Sequence, residues 1–133
     1  MEAQELHGGR LIDHIQLVVR DPSASKAFYS AIFDVLNVPM GGGGAGYFWA
    51  DELFVSSAES EAAQGILTGR HHLAFQAKDR ATVEAYYNAA LAHGGKDNGA
   101  PGLRPHYHAN YYAAFVIGPD GHNIEVVCHE PEA

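Results

Sequence analysis

The chain has 133 residues, an apolar share of 47% and a formal charge of −8, with 8 Lys and Arg against 16 Asp and Glu. That length allows one domain with a real core, and the few, scattered cations exclude a nucleic-acid-binding face. No apolar run approaches the ~18 residues of a membrane span, the opening Met1-Glu-Ala-Gln-Glu lacks a secretory pattern, and the lone Cys128 excludes an internal disulfide and fits a reducing cytoplasm.

Residues 1–9 read as a short mobile arm. From Leu11 to Asp21 the chain alternates, with Ile15, Leu17 and Val19 on one face and His14, Gln16 and Val18 on the other. The first face can pack a helix; the second carries two polar groups in mid-strand. Asp21-Pro22-Ser23 opens a helix, with aspartate as cap and proline in the first turn. Ala24, Ala27, Phe28, Ala31, Ile32 and Val35 form its stripe, which should end near Asn37-Val38-Pro39. Gly41 to Gly46 reads as a flexible loop; it lacks the Lys-Ser/Thr ending of a phosphate loop. Tyr47–Ala50 and Leu53–Ser56 read as a hairpin with Phe48 and Trp49 in its core. The small, polar stretch 57–69 reads as a linker.

The chain then repeats itself. Gly69 to Asp79 aligns with the first strand so that His72 falls over His14 and Asp79 over Asp21, and Tyr86-Tyr87 falls over Phe28-Tyr29. A helix follows, with Val83, Tyr86, Tyr87, Ala90 and Leu91 at helical spacing and Gly94-Gly95 as its stop. The loop Gly94 to Asn110, part of which can form a strand, carries Arg104, His106, Tyr107 and His108. Strands Tyr112–Ile117 and Asn123–His129, joined by Gly118-Pro-Asp-Gly121, complete the chain. The expected fold is α+β: a single domain, 1–133, of two βαβββ modules (11–56 and 70–129, linker 57–69).

His14, His72 and Glu125 each occupy a mid-strand place where an apolar residue would serve stability better. Two imidazoles and a carboxylate can hold a divalent transition ion and leave positions open for substrate or water. The plainer reading of Glu125 is an ion pair with Arg70 or Arg104. Gln16 and Gln76 stand where they can orient ligands. In the long loop, His106 and His108 are candidates for moving a proton, and Tyr107, Tyr111 and Tyr112 for hydrogen-bonding a substrate. The alternative is a solvent-exposed loop whose tyrosines cover the barrel mouth.

Asp13-His14-Ile15, Asp21 with its Phe28-Tyr29 helix, His72-Leu-Ala-Phe75 and Gly118-Pro-Asp-Gly-His-Asn-Ile-Glu125 resemble the vicinal oxygen chelate superfamily. That superfamily includes glyoxalase I, fosfomycin-resistance transferases, extradiol dioxygenases and bleomycin-resistance proteins. The resemblance runs from Leu11 to His129, and it implies that the strands of the two modules form a curved mixed sheet around a metal site. It implies one divalent ion (Zn, Ni, Mn, Fe or Co) on His14, His72 and Glu125, and a small-molecule substrate chelated through vicinal oxygens. It implies lyase, isomerase or transferase chemistry through a stabilised oxyanion or enolate, in a homodimer whose modules are exchanged or not. Two alternatives stand beside it. One is iron(II) ring cleavage with His106, His108 or His129 as acid–base group; the other is a non-catalytic module that binds a small molecule or antibiotic. Glyoxalase I usually adds a glutamate in the last strand of the first half. Matching Leu53-Phe54-Val55 to Ile124-Glu125-Val126 puts Phe54 there, which argues against that activity. The cations expected around a phosphonate reduce here to Arg104 and Lys96.

Overall fold

The computed structural model of the chain describes residues 12–60 and 63–132, so the expected arm at 1–9 and two positions of the expected linker lie outside the described residues. The first βαβββ module comprises β1 (Ile15–Val19), α1 (Pro22–Val35), β2 (Gly42–Gly44), β3 (Tyr47–Ala50) and β4 (Leu53–Ser57). The second comprises β5 (His72–Gln76), α2 (Arg80–Ala92), the short β6 (Lys96–Asp97) and β7 (Gly102–Leu103), then β8 (Tyr112–Ile117) and β9 (Asn123–Cys128). The fold is α+β, and its strands divide into two mixed sheets ordered β1-β4-β3-β2 and β5-β9-β8-β6, with β7 also on β8. In each, the first strand lies parallel beside the last. The repetition extends to the helix caps. Asp21 accepts from the Ala24 amide at 3.1 Å and Asp79 from the Thr82 amide at 2.8 Å, each satisfying one orphan donor of a first turn.

Alternation decides how the sheets face. Leu17, Val19, Phe48 and Val55 of the first sheet and Ala114, Val116, Ile124 and Val126 of the second join one buried cluster with Phe28, Tyr29 and Ile32 of α1 and Val83, Tyr86 and Ala90 of α2. Each large apolar side chain so buried contributes about 1.5–3 kcal/mol, and slipping a strand by one residue would turn its whole set outward. The helices pack on each other. The two sheets therefore stand back to back around one core, each turning its other face away from the helices. No described helix is long and apolar enough to cross a membrane.

The Pro-Asp-Gly turn joins the modules. Asp120 is hydrogen-bonded by the Ser25 hydroxyl of α1, and burial, reinforced by the charge of Asp21, raises the pKa of its carboxyl despite that bond.

Two local expectations are corrected. Residues 42–44 are an edge strand paired with Tyr47–Trp49, not a loop. A Cβ at Gly41 or Gly42 would come within 2.2 or 2.7 Å of the Trp49 indole, so only glycine lets that ring lie flat over the strand. Trp49 itself is not hairpin core: Phe48 is 1% exposed, whereas Trp49 is 37% exposed and stacks on Phe54 at 6.3 Å. In the stretch 94–110 the expected strand content is β6 and β7, which pin it to β8.

Candidate metal site

β9 runs through the middle of the second sheet, with Ile124, Val126 and Cys128 turned to the helices. Glu125 takes the open face, directly opposite Phe115 of β8 and beside Ala74 of β5. It is 2% exposed, and a carboxylate so buried is costly unless each oxygen is engaged. Oε2 accepts from the Tyr111 hydroxyl, and Oε1 faces Nε2 of His72 at 2.9 Å. Neither Arg70 nor Arg104 forms an ion pair with it among the described residues.

His72 is oriented from behind. Its Nδ1 lies 3.1 Å from the Asn123 carbonyl, which can only accept, so Nδ1 carries a proton and Nε2 is the nitrogen presented to Glu125. An imidazole nitrogen and a carboxylate oxygen 2.9 Å apart, the imidazole held by a carbonyl at its far side, match the donor set of a divalent ion and its outer support. The pair thus fits two of the three expected ligands. Tyr111 steadies the carboxylate further. Its phenol is held protonated by burial first and by its bond to Glu125 second, both of which raise its pKa.

His14 is elsewhere. It precedes β1, is largely exposed, and lies 2.6 Å through Nδ1 from Asp13. Strand alternation puts it on the open side of the first sheet with Gln16, whose amide donates to Ser56 Oγ at 2.9 Å. Because the sheets are back to back, one chain presents His14 and the His72–Glu125 pair on opposite faces. Among the described residues no three His, Cys, Asp or Glu side chains converge closely enough to share an ion.

The loop residues sort by the alternation of β8. Tyr111, Ala113 and Phe115 share the Glu125 face. Tyr112 faces the other way, donating to Glu84 at 2.6 Å with the Arg80 guanidinium 5.0 Å from its ring, so it does not stand beside Glu125 as expected. His106 and Tyr107 form a stack leading to Tyr111, with centroids at 4.2 and 4.7 Å, and Tyr107 is 59% exposed. His108 Nδ1 accepts from the Asn110 amide, which leaves Nε2 to donate to His129 Nδ1 at 2.8 Å. Both imidazoles pack against Tyr111. Gln76 lines a cavity with Phe33 and Phe75 instead of reaching the ligands. In the sequence Tyr111 is one tyrosine among several; the signal for it was its even spacing from Phe115, usable only with the strand register known.

Paired βαβββ modules, each with its first strand parallel to its last, define the class of fold. The chain belongs to the Glyoxalase/Bleomycin resistance protein/Dioxygenase superfamily, whose model matches residues 11–126. Among solved structures it is similar to a glyoxalase/bleomycin resistance protein/dioxygenase family enzyme from Burkholderia phytofirmans PsJN (19% identity, 88% of this chain and 97% of that one, TM-score 0.70). A glyoxalase/bleomycin resistance protein from Albidiferax ferrireducens T118 gives 23% identity, 86% and 96% coverage and a TM-score of 0.69. Lactoylglutathione lyase from Agrobacterium tumefaciens gives 20%, 86% and 90%, and 0.60. At these identities the likeness is one of fold. Comparison with curated proteins gives no match.

Proposed function

We propose that the protein is a metal-dependent enzyme of the lyase, isomerase or transferase kind, acting on a small molecule that chelates through neighbouring oxygens. One divalent ion would be held by His72 and Glu125 of one chain and His14 of a second copy. The observation that carries this reading is the His72–Glu125 pair, 2.9 Å apart on the sheet face turned away from the helices and braced by Asn123 and Tyr111. The back-to-back sheets support the second copy: only another chain's first sheet can bring a His14 to this face.

When bound, such an ion supplies Lewis-acid stabilisation of negative charge developing on a substrate oxygen. The protein's own part is positional. Glu125 is anchored at Oε2 by Tyr111, and His72 is fixed in one tautomer by Asn123, which leaves its Nε2 lone pair facing Oε1. On the first sheet Tyr47, Trp49 and Phe54 hold their rings within 15° of parallel, beside a cavity of about 500 Å³ that Tyr47 and Phe54 help to line. Across a dimer this would be an apolar wall facing the ion.

The test is metal analysis of protein purified without added metal and then reconstituted with nickel, zinc, manganese or iron(II). One ion per chain is expected, lost in Glu125→Gln; a variant that holds metal as tightly as the parent refutes the site. A second reading, iron(II)-dependent ring cleavage, draws on the His108–His129 pair packed on Tyr111, an acid–base group near Glu125. Oxygen consumption with catechol by the iron-loaded protein separates the two: uptake favours ring cleavage, none favours the lyase type.

A further inference from the structure

A second cavity, of about 230 Å³, lies where three parts of the fold meet: the end of α1, the turn between β3 and β4, and β5. Among the described strands β5 pairs with β9 alone, so Phe75 and Gln76 can line the cavity from the edge of their sheet. Phe33 and Leu53, 4% and 5% exposed, line it from the core. Leu36, Val38 and Phe75 are half-buried and pack against that core, and the Phe33 and Phe75 rings meet edge to face with centroids 5.2 Å apart. Three polar side chains share the lining. Asp51 and Glu52 form the two-residue turn between Ala50 and Leu53, with Asp51 at the left-handed φ of 51° that suits such a turn. Gln76 ends β5, four residues from His72 or about 13 Å along the strand.

The charge of this lining has one sign. Ionised carboxylates only accept hydrogen bonds, and the Gln76 amide can add a carbonyl acceptor. No Lys or Arg is among the lining residues, and among the described residues neither Asp51 nor Glu52 is in an ion pair. An anion is therefore repelled, whereas a primary ammonium brings three N–H donors to these acceptors. The apolar side chains take the rest of such a molecule by burial. An apolar cavity of about 150 Å³ is enough to hold benzene, so one ring on a short alkyl link suits the larger volume here. We propose that this cavity binds a small primary amine, its single ring among Phe33, Leu36, Val38, Leu53 and Phe75 and its ammonium at the Asp51–Glu52 turn. None of the lining residues is a candidate metal ligand, so the site stands whether or not an ion binds at His72 and Glu125.

The experiment follows the methyl resonances of Leu36, Val38 and Leu53 by ¹H–¹³C NMR while phenethylammonium is added to the full chain. Phenethyl alcohol, phenylacetate and ethylammonium serve as the uncharged, anionic and ringless controls. A double variant, Asp51→Asn with Glu52→Gln, is titrated beside the parent; asparagine tolerates the left-handed conformation of the turn. The expected result is saturable binding of phenethylammonium that shifts these methyls in the parent. Affinity should fall at least tenfold for phenethyl alcohol and in the double variant, and neither phenylacetate nor ethylammonium should give a saturable shift. Unmoved methyls, or equal affinity for the amine and the alcohol, overturn the proposal, and the parent's spectrum needs no variant to fold. Saturable binding of phenylacetate or ethylammonium overturns it too, as does a folded double variant that holds the amine as tightly as the parent.

Discussion

Phe54 and Glu125 hold the same place in the two halves. Phe54 pairs with Gln16 and Glu125 with Ala74, each partner two residues beyond one of the aligned histidines, His14 and His72. The duplication therefore delivers a carboxylate to one open face and a phenyl ring to the other. Phe54→Glu should supply the missing carboxylate and tighten nickel or zinc binding at least tenfold in chelator competition. Loss of its stacking on Tyr47 and Trp49 should cost about 0.5–1.5 kcal/mol of stability. Unchanged affinity would mean that the two ladder positions are not equivalent across the site.

Tyr111 and Tyr107 make a matched pair of variants. Tyr111→Phe leaves the buried Oε2 of Glu125 without its donor, at a cost of about 1–3 kcal/mol. It should also weaken metal binding roughly 10–100-fold, as loss of outer support does. Tyr107→Phe, at an exposed position, should be within about 0.5 kcal/mol of the parent. Thermal unfolding and metal competition on both variants check this, and equal behaviour of the two contradicts the role given to Tyr111.

His122 gives the fold a pH dependence of known sign. It is 1% exposed, and its Nδ1 accepts from the His71 amide at 3.0 Å. Burial first, then the neighbouring His71 and Arg70, push its pKa below 6.5. Below about pH 6.5 the unfolded chain therefore binds more protons than the native one. Stability should be fully present above that pH and decline below it, by at most about 1.4 kcal/mol per pH unit from this group. Denaturant unfolding between pH 7.5 and 5 should show the decline in the parent and a flatter curve in His122→Asn. An equal slope in the variant would remove His122 as the cause.

Trp49 is the chain's single tryptophan, so its emission reports on the glycine strand. Gly42→Ala drives a methyl into the indole and should shift the emission and cost about 1–3 kcal/mol. Gly69→Ala, where an added Cβ meets nothing within 4 Å, should leave both unchanged. Identical spectra for parent and Gly42→Ala would contradict the packing of Trp49 on β2.

Much of the fold was legible in the sequence because it rests on periodicity. Alternation around His14 and His72, the stripes after Asp21 and Asp79, and the two capping aspartates all mark elements whose local preferences agree with their tertiary roles. Glu125 could be singled out because a carboxylate among β-branched residues in a strand is costly to bury unpaired. What stayed hidden depends on partners distant in sequence. Residues 42–44 have no side chains to show a period, and only the rings of Tyr47 and Trp49 make a strand of them. Tyr111 and Tyr112 are told apart only by the register of β8. The back-to-back sheets follow from packing of α1 on α2, which no single strand pattern encodes.

The central claim is that one ion is held by His72 and Glu125 of one chain and His14 of another. Mixing separately inactive His14→Ala and Glu125→Gln chains, unfolded and refolded together, tests it most directly. In a mixed dimer one site combines both substitutions and the other has His14, His72 and Glu125 intact. Tightly bound metal should then reappear at half an ion per chain in the mixed dimer, with none in either parent variant. Mixed dimers that bind no metal, although each unmutated chain binds one ion, would place all three ligands within a single chain and contradict the account.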